Sequence, residues 1–420
     1  MLKKLLDKAF SLSLVVMASV AYSAQVNNAR ALFENFQNRL YQIRAIDIAS
    51  GSKSSIGSAF AIKSNGTLAT NYHVISKYVL SPEKYTLEAF SSDEQVLPLS
   101  VVGVDVINDL ALVKIEQLMA PIDILDIASE EPAKGEQIYS LGNPRDLGMT
   151  VVPGTFNGQT THSYYGRILF SGSINPGMSG GPVLNSDGQV IGVNVATSGN
   201  QISFLVPLEK LLSFVENSRQ EKLPFNRQAH EQLTGNQQRL MGAILNGEWQ
   251  KKPLGKANVI SEVTDFISCW GASDNDKKDK FTQVNRRCRN SEYIYIAPDF
   301  YTGIIEMEFF WYQTKKLTSW QFYRMLNDSF GGAGAGNRAS EEYVTEFKCQ
   351  TDFIQKADKS SIHKSAYCVR EYKRFPGLYD VLFLAASVDQ ATQSLVSHYT
   401  ISGIEQANAQ SFLARFLEQM

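Results

Sequence analysis

Gly177-Met178-Ser179-Gly180-Gly181-Pro182-Val183 sets a serine between glycines, ahead of a proline and an apolar run. Glycine opens backbone conformations closed to other residues, so the chain can turn sharply here and carry the hydroxyl outward. A serine hydroxyl is a weak nucleophile unless a base lies within hydrogen-bond reach and a third group orients that base. Two further segments offer these groups. Thr70-Asn71-Tyr72-His73-Val74-Ile75 places a histidine just after a short strand pattern, and Asn108-Asp109-Leu110-Ala111-Leu112-Val113-Lys114-Ile115 places an acid directly before another. Asp105 is a competing acid in a poorer strand context. In this arrangement Ser179 is expected to attack a carbonyl, His73 to take and return the proton, and Asp109 to hold the imidazole tautomer. The N–H groups of Gly177 and Ser179, on either side of Met178, are expected to receive the oxyanion. His162, His230, His363 and His398 lie in no such motif.

The surroundings of these segments are strand-like. Ile56 to Ile62, Leu68 to Asn71, Val101 to Val106, Leu110 to Ile115, Gln137 to Leu141, Val190 to Val195 and Ile202 to Pro207 are short apolar runs divided by Gly, Ser, Asn and Pro. Regularly spaced short strands predict an all-β sandwich or barrel. Asn28 to Ile43 is expected to be helical, with Leu32, Phe33, Phe36 and Leu40 on one face, and to pack on the barrel. Leu208 to Glu216 reads as a closing helix, and the polar stretch Glu216 to Gln228 as a domain boundary.

Before the strands, Lys3, Lys4 and Lys8 precede an apolar run from Ala9 to Ala21 and small residues near Ser23 and Ala24. This is the pattern of a Sec signal peptide over residues 1–24. It predicts export to the periplasm or the medium and no stable membrane span after cleavage. Lys and Arg number 40 against 42 Asp and Glu, so bulk charge gives no reason to expect a nucleic-acid partner.

All four cysteines lie in the C-terminal half, and Cys269–Cys288 and Cys349–Cys368 have identical gaps. Zinc sites usually need closer pairs with histidines nearby, so no metal site is expected and two disulfides are. The gaps belong to an internal repeat. Val263-Thr264-Asp265-Phe266 precedes the first pair and Val344-Thr345-Glu346-Phe347 the second. Asn258 and Asn337 stand upstream, and Glu292-Tyr293 and Glu371-Tyr372 follow. Each half then runs through a strand-like segment (Ile304 to Tyr312, Val381 to Ala386) into a helix (Trp320 to Leu326, Gln406 to Leu417). The predicted organisation is a protease domain over 25–218, a linker and helix over 219–254, and α+β repeat units over 255–333 and 334–420. Equal spacing within each unit favours the pairings Cys269–Cys288 and Cys349–Cys368. Eleven aromatics between Tyr293 and Tyr323 read as packing residues before they read as a ligand platform.

The chain order His73, Asp109, Ser179 is that of chymotrypsin-like proteases. The resemblance extends to Ser58-Ala59-Phe60-Ala61-Ile62, to 141–150 (Leu-Gly-Asn-Pro-Arg-Asp-Leu-Gly-Met-Thr), to Ser173-Ile174-Asn175-Pro176-Gly177 and to Gly192-Val193-Asn194-Val195-Ala196. With these motifs residues 43–210 resemble the HtrA-like branch of trypsin-like serine proteases. The resemblance implies an all-β double β-barrel, chymotrypsin-like, followed here by the disulfide-containing α+β tandem repeat domain. It implies an endopeptidase acting on protein or peptide substrates, with no cofactor. Ser173 would lie at the base of a specificity pocket walled by Asn194, Val195 and Ala196, which suits small or medium aliphatic side chains before the scissile bond. Two departures stand out. No PDZ-like carboxylate-binding loop follows residue 218, which leaves homo-oligomerisation and a protein or glycan ligand for the repeats open. Met178 cannot form the ion pair with a new N-terminus that activates digestive zymogens. A chaperone-like or partner-binding protein with secondary proteolysis is the alternative reading.

Overall fold

The computed structural model describes residues 29–218, 224–274, 280–332, 334–355 and 361–420. The expected signal peptide and most of the charged loop Asp274 to Lys280 lie outside them. The chain divides into two compact units.

Unit 1 holds two closed six-stranded barrels. The first is built from β1 (Leu40–Asp47), β2 (Lys53–Lys63), β3 (Thr67–Thr70), β4 (Tyr85–Phe90), β5 (Val96–Asp105) and β6 (Leu110–Ile115), in the order β1-β2-β3-β6-β5-β4. The second uses β7 (Gln137–Gly142), β8 (Thr150–Gln159), β9 (Ile168–Phe170), β10 (Pro182–Leu184), β11 (Val190–Gly199) and β12 (Ile202–Pro207), in the order β10-β11-β12-β9-β8-β7. Closure removes the open edges that would otherwise recruit other strands. Phe60, Leu112, Leu141 and Val193, drawn from both barrels, share one buried cluster, and Phe156, Phe170 and Met178 fill a second.

The N-terminal helix is shorter than its apolar spacing predicts. Residues 29–36 form α1, a 3-10 turn follows at Gln37–Arg39, and Leu40 already belongs to β1. From Leu40 the chain pairs with both β2 and β4, and these ladders override the helical spacing that Leu40 continues. Leu32 is buried, and Leu32 and Phe36 occupy the space where a side chain on Gly188 would stand, so α1 packs on the barrel. β4, β8, β9 and β10 were not anticipated. Pro153, Gly154 and Gly158 obscure the pattern of β8, and β9 and β10 have three residues each. A nine-residue helix, α2 (Tyr72–Leu80), follows β3, and α3 (Leu208–Asn217) closes the barrels.

Unit 2 comprises residues 106–108, 161–165 and 223–420. It begins its main span with α4 (Phe225–Asn246) and the hairpin β13 (Lys251–Leu254) and β14 (Ala257–Ile260). The remaining strands are β15 (Ile267–Asp274), β16 (Phe281–Asn290), β17 (Ile294–Ala297), β18 (Phe300–Thr302), β19 (Ile305–Thr314), β20 (Lys348–Gln355), β21 (Ile362–Glu371), β22 (Leu378–Ser387) and β23 (Gln393–Glu405). Seven of these make one sheet, β15-β16-β19-β23-β22-β21-β20. Strands from both sides of the expected 333/334 division meet at the β19–β23 ladder.

Side chains alternate across this sheet, as strand geometry requires. Phe309, Phe383 and Tyr399 join Ile244 of α4 and Phe412 and Phe416 of α6 (Gln406–Gln419) in one core. Tyr312, Leu382 and Val396 join Phe322 and Leu326 of α5 (Ser319–Gly331) in another. The aromatic run is therefore largely interior: Phe300, Phe309, Trp311, Tyr312 and Phe322 are buried, and Tyr293 and Trp320 are exposed. Within this unit the Glu292 carboxylate accepts from Ser163 Oγ at 2.5 Å and from the N–H groups of Tyr164 and Tyr165 at 2.9 and 3.2 Å.

Both disulfides form as expected, each between residues directly opposite in a hairpin, with Cα atoms 4.0 Å apart. Each closes a separation of 19 residues and restricts the unfolded chain. Replacing Cys349 and Cys368 together by serine is expected to lower the stability of unit 2 by about 3 kcal/mol, read as an earlier denaturant midpoint with a steeper slope, because the freed unfolded chain exposes more surface.

Candidate active site

His73 is the second residue of α2, and Asp109 holds it in three ways. The turn between β5 and β6 sets Asp109 at φ 58°, a left-handed conformation that aspartate tolerates better than most residues. There its carbonyl accepts from Asn71 Nδ2 at 2.8 Å and from the Tyr72 N–H at 3.3 Å. One carboxylate oxygen accepts from the His73 N–H at 2.8 Å, satisfying an otherwise orphan donor at the helix start. The other lies 2.6 Å from His73 Nδ1. An N–H at Nδ1 leaves Nε2 as the proton acceptor. Burial pushes the imidazole pKa down, and the Asp109 charge and hydrogen bond outweigh that, so His73 sits above the ordinary value of 6.5. Asp109, and not Asp105, is thus the partner of His73.

Ser179 stands on a turn wedged between the barrels. Its carbonyl accepts from the Ser58 N–H at 2.7 Å. Gly180 follows at φ 84°, and a Cβ there would meet Ser58 O and Thr70 Oγ1 at 2.3 Å and Asn71 N at 2.9 Å. The serine turn is therefore pressed against the residues that lead into the histidine helix. Among the described residues Ser179 Oγ makes no hydrogen bond.

The N–H groups of Gly177 and Ser179 are likewise unengaged among the described residues. Met178, between them, turns its N–H to Asn175 O at 3.0 Å and buries its side chain completely. Ser58 Oγ donates to Gly177 O at 2.8 Å and accepts from the Asn143 N–H at 2.9 Å. The Arg145 N–H donates to Pro176 O at 2.7 Å. Arg145 and Asp146 both have positive φ, a strain of roughly 1–3 kcal/mol each that the surroundings must hold. Asp146 is anchored by Gln42 Nε2 at 2.7 Å and by the Lys53 ammonium. Those hydrogen bonds keep its carboxyl below the usual carboxylate range.

Of the expected pocket residues, Ser173 and Ala196 are exposed and Val195 is half-buried. Asn194 does not wall a pocket with its side chain. It is fully buried, donates to Leu141 O and Met178 O at 3.0 and 3.3 Å, and accepts from Ser140 Oγ at 2.8 Å. An amide can meet donor and acceptor partners at once, and here it fastens the serine turn to β7. Ser58, Asn71, Asn143 and Asn194 hold the serine turn and the start of α2 in place; the sequence reading gave the first three no role and put Asn194 at a pocket wall. Their motifs were legible, but the side-chain contacts connect positions up to 119 residues apart.

The groups that could hold a metal among the described residues are Glu306, Glu308 and His398 in unit 2, whose ligand atoms lie within 4.8 Å of one another. Arg287 Nε stands 2.6 Å from Glu308 and 3.5 Å from Glu306, with Arg289 at 3.4 Å. The carboxylates are already neutralised by guanidinium groups, and the cluster is an ion-pair ladder.

Residues 57–193 match the family model of a trypsin-like peptidase domain. The matched residues run from β2 of the first barrel to β11 of the second and are similar to a domain of that class. Its homologues are serine proteases of the HtrA and DegP kind. A protein named as serine protease HhoB, from Synechocystis sp., is 36% identical over 172 residues, 38% of this chain and 39% of that one. Serine protease HTRA1 of Xenopus laevis is 32% identical over 187 residues, 42% of this chain and 38% of that one. A DegP-like protein of Chlamydia pneumoniae, named as a periplasmic serine endoprotease, is 32% identical over 186 residues, covering 41% and 36%. The solved structure of Deg5 aligns with a TM-score of 0.40 at 25% identity, over 45% of this chain and 92% of that one. The chain spans under two fifths of the length of these curated relatives.

Gly180→Ala would strain a left-handed position and drive a methyl group into Thr70 and Ser58. We expect a loss of about 1–3 kcal/mol in stability and of reactivity at Ser179, read by calorimetry and active-site titration.

Proposed function

We propose that this chain is an exported serine endopeptidase that cleaves protein substrates through Ser179, His73 and Asp109. The observation that carries the reading is the Asp109–His73 bond at 2.6 Å, held where the Ser179 turn presses on Thr70 and Asn71. In this mechanism Ser179 Oγ attacks the scissile carbonyl while His73 Nε2 takes its proton. The developing oxyanion enters the space before the N–H groups of Gly177 and Ser179, which are unused at rest among the described residues and cost no reorganisation. Asp109 stabilises the imidazolium, which then protonates the leaving amine. Water repeats the sequence to release the acyl group. The exposed, uncharged Ser173 offers no counter-ion to lysine or arginine, which supports a preference for small or medium aliphatic residues before the scissile bond.

The export reading rests on the N-terminal basic and apolar segments and on two disulfides, which persist in oxidising compartments. No helix among the described residues is long and apolar enough to cross a membrane.

The test is labelling of the mature protein by a fluorophosphonate probe beside Ser179→Ala. Labelling confined to the unaltered chain is expected. Equal labelling of both, or of neither, would remove the assignment of Ser179. The base must be neutral to act, and His73 is raised. The rate is therefore expected to climb with pH through a value above 6.5 and to fade below it. Asp109→Asn removes the raising influence and leaves burial, so the ascending limb should move to lower pH while the rate falls by about 10⁴-fold. A limb that stayed in place would show that Asp109 does not set the state of the imidazole.

A further inference from the structure

We propose that the free edge of β15 binds an extended segment of another polypeptide as an added strand. In unit 2 this edge lines a groove of 1030 Å³. Cys269 and Cys288 lie directly opposite with Cα atoms 4.0 Å apart, the short spacing of a non-hydrogen-bonded antiparallel pair. The N–H and C=O groups of Cys269 therefore point away from β16. By alternation so do those of Gly271 and Ser273. None of these backbone groups has a partner among the described residues, and all three residues line the groove.

The other edge of the same sheet provides an internal comparison. β20 carries Lys348 and Asp352, and the Asp352 carboxylate accepts from the outward Phe353 N–H at 2.7 Å. Charges on an edge and side chains that occupy its donors are how sheets avoid recruiting strands. The stretch Cys269-Trp270-Gly271-Ala272-Ser273 has no charge, no proline and no such cap, although it occupies the matching hairpin of the repeat. Trp270 is 63% exposed beside it, a broad apolar surface for alternate side chains of an incoming strand.

Leu254 and Gly255 of the β13–β14 turn, the segment at Glu262 to Asp265 and Val284 to Arg286 of β16 also line the groove. Strands pair about 4.8 Å apart, so an added chain needs one strand's width beside β15. Lys252 and Arg286 mix with Glu248, Glu262 and Asp265 around the groove, so recognition falls to the backbone and to Trp270, with little dependence on ligand charge.

The test uses full-length Ser179→Ala protein, so binding is read without cleavage and apart from the peptidase assignment. Reduced, carboxymethylated lactalbumin serves as a permanently unfolded probe. Hydrogen exchange is expected to slow at Cys269, Gly271 and Ser273 when the probe is added, with β20 unchanged. Ser273→Pro removes an outward donor and leaves the β16 ladder intact. It should weaken probe binding roughly ten-fold, equivalent to about 1.4 kcal/mol. Trp270→Ala should weaken it comparably and serves as the second variant if the proline disturbs folding. Absence of binding, protection only at other segments, or parental affinity in Trp270→Ala would overturn the proposal. So would a concentration-dependent dimer in the absence of probe that protects the same amides, since a second copy would then be the occupant.

Discussion

The site hangs on the close approach of the serine turn to the strand that feeds the histidine helix. Three atoms of Ser58, Thr70 and Asn71 crowd the position where any side chain on Gly180 would begin. Ser58 also donates through its N–H to Ser179 O and through its hydroxyl to Gly177 O, so β2 of one barrel grips both ends of the turn carried by the other. Thr70 Oγ1 completes the clamp by donating to Ser58 O at 2.7 Å. Such a contact tolerates little relaxation, because interiors are close-packed and a backbone carbonyl cannot move as a flexible side chain can. Relative placement of Ser179 and His73 is thus fixed by main-chain atoms and small side chains.

Asp109 links this clamp to the imidazole of His73. Its carbonyl and carboxylate together meet Asn71, Tyr72 and His73, so the first turn of α2 and the imidazole orientation depend on one residue. A carboxylate at a helix N-terminus is also favoured by the helix dipole. Replacing its side chain by an aliphatic one of similar size would leave one helix donor, the His73 N–H, and a ring N–H unsatisfied together. The left-handed backbone explains why the acid lies immediately before β6: the turn aims both oxygens back toward the helix.

The positions of His73, Asp109 and Ser179 were legible because each precedes or follows a strand in a short motif. The barrels were legible as a class because seven of their strands alternate with turn residues. What the sequence concealed were contacts made at long range. The three-residue strands β9 and β10 carry too little pattern to read, and β1 continues a helical spacing until pairing on both sides overrides it. Asn194 was placed by resemblance near a pocket. Its actual use, as a buried amide joining β7 to the serine turn, follows from partners 16 and 53 residues away.

In the C-terminal half two hairpins match in pairing and differ at their outer strands. The hairpins β15–β16 and β20–β21 carry matching disulfides and end up at opposite edges of one sheet. β23 breaks the correspondence: thirteen residues long, it lies between β22 and α6 in sequence and beside β19 in space, with no counterpart ahead of α5. With that extra strand the two halves join in a single sheet whose edges, among the described residues, are the outer strands of the two hairpins. A disulfide cannot protect an edge, because it ties a strand to the neighbour it already has. Protection must come from charge or from a capping side chain. Asp352 supplies that on one edge, and the corresponding stretch of the other consists of small or aromatic neutral residues. The two hairpins share a framework, and they differ in the side chains along their outer strands.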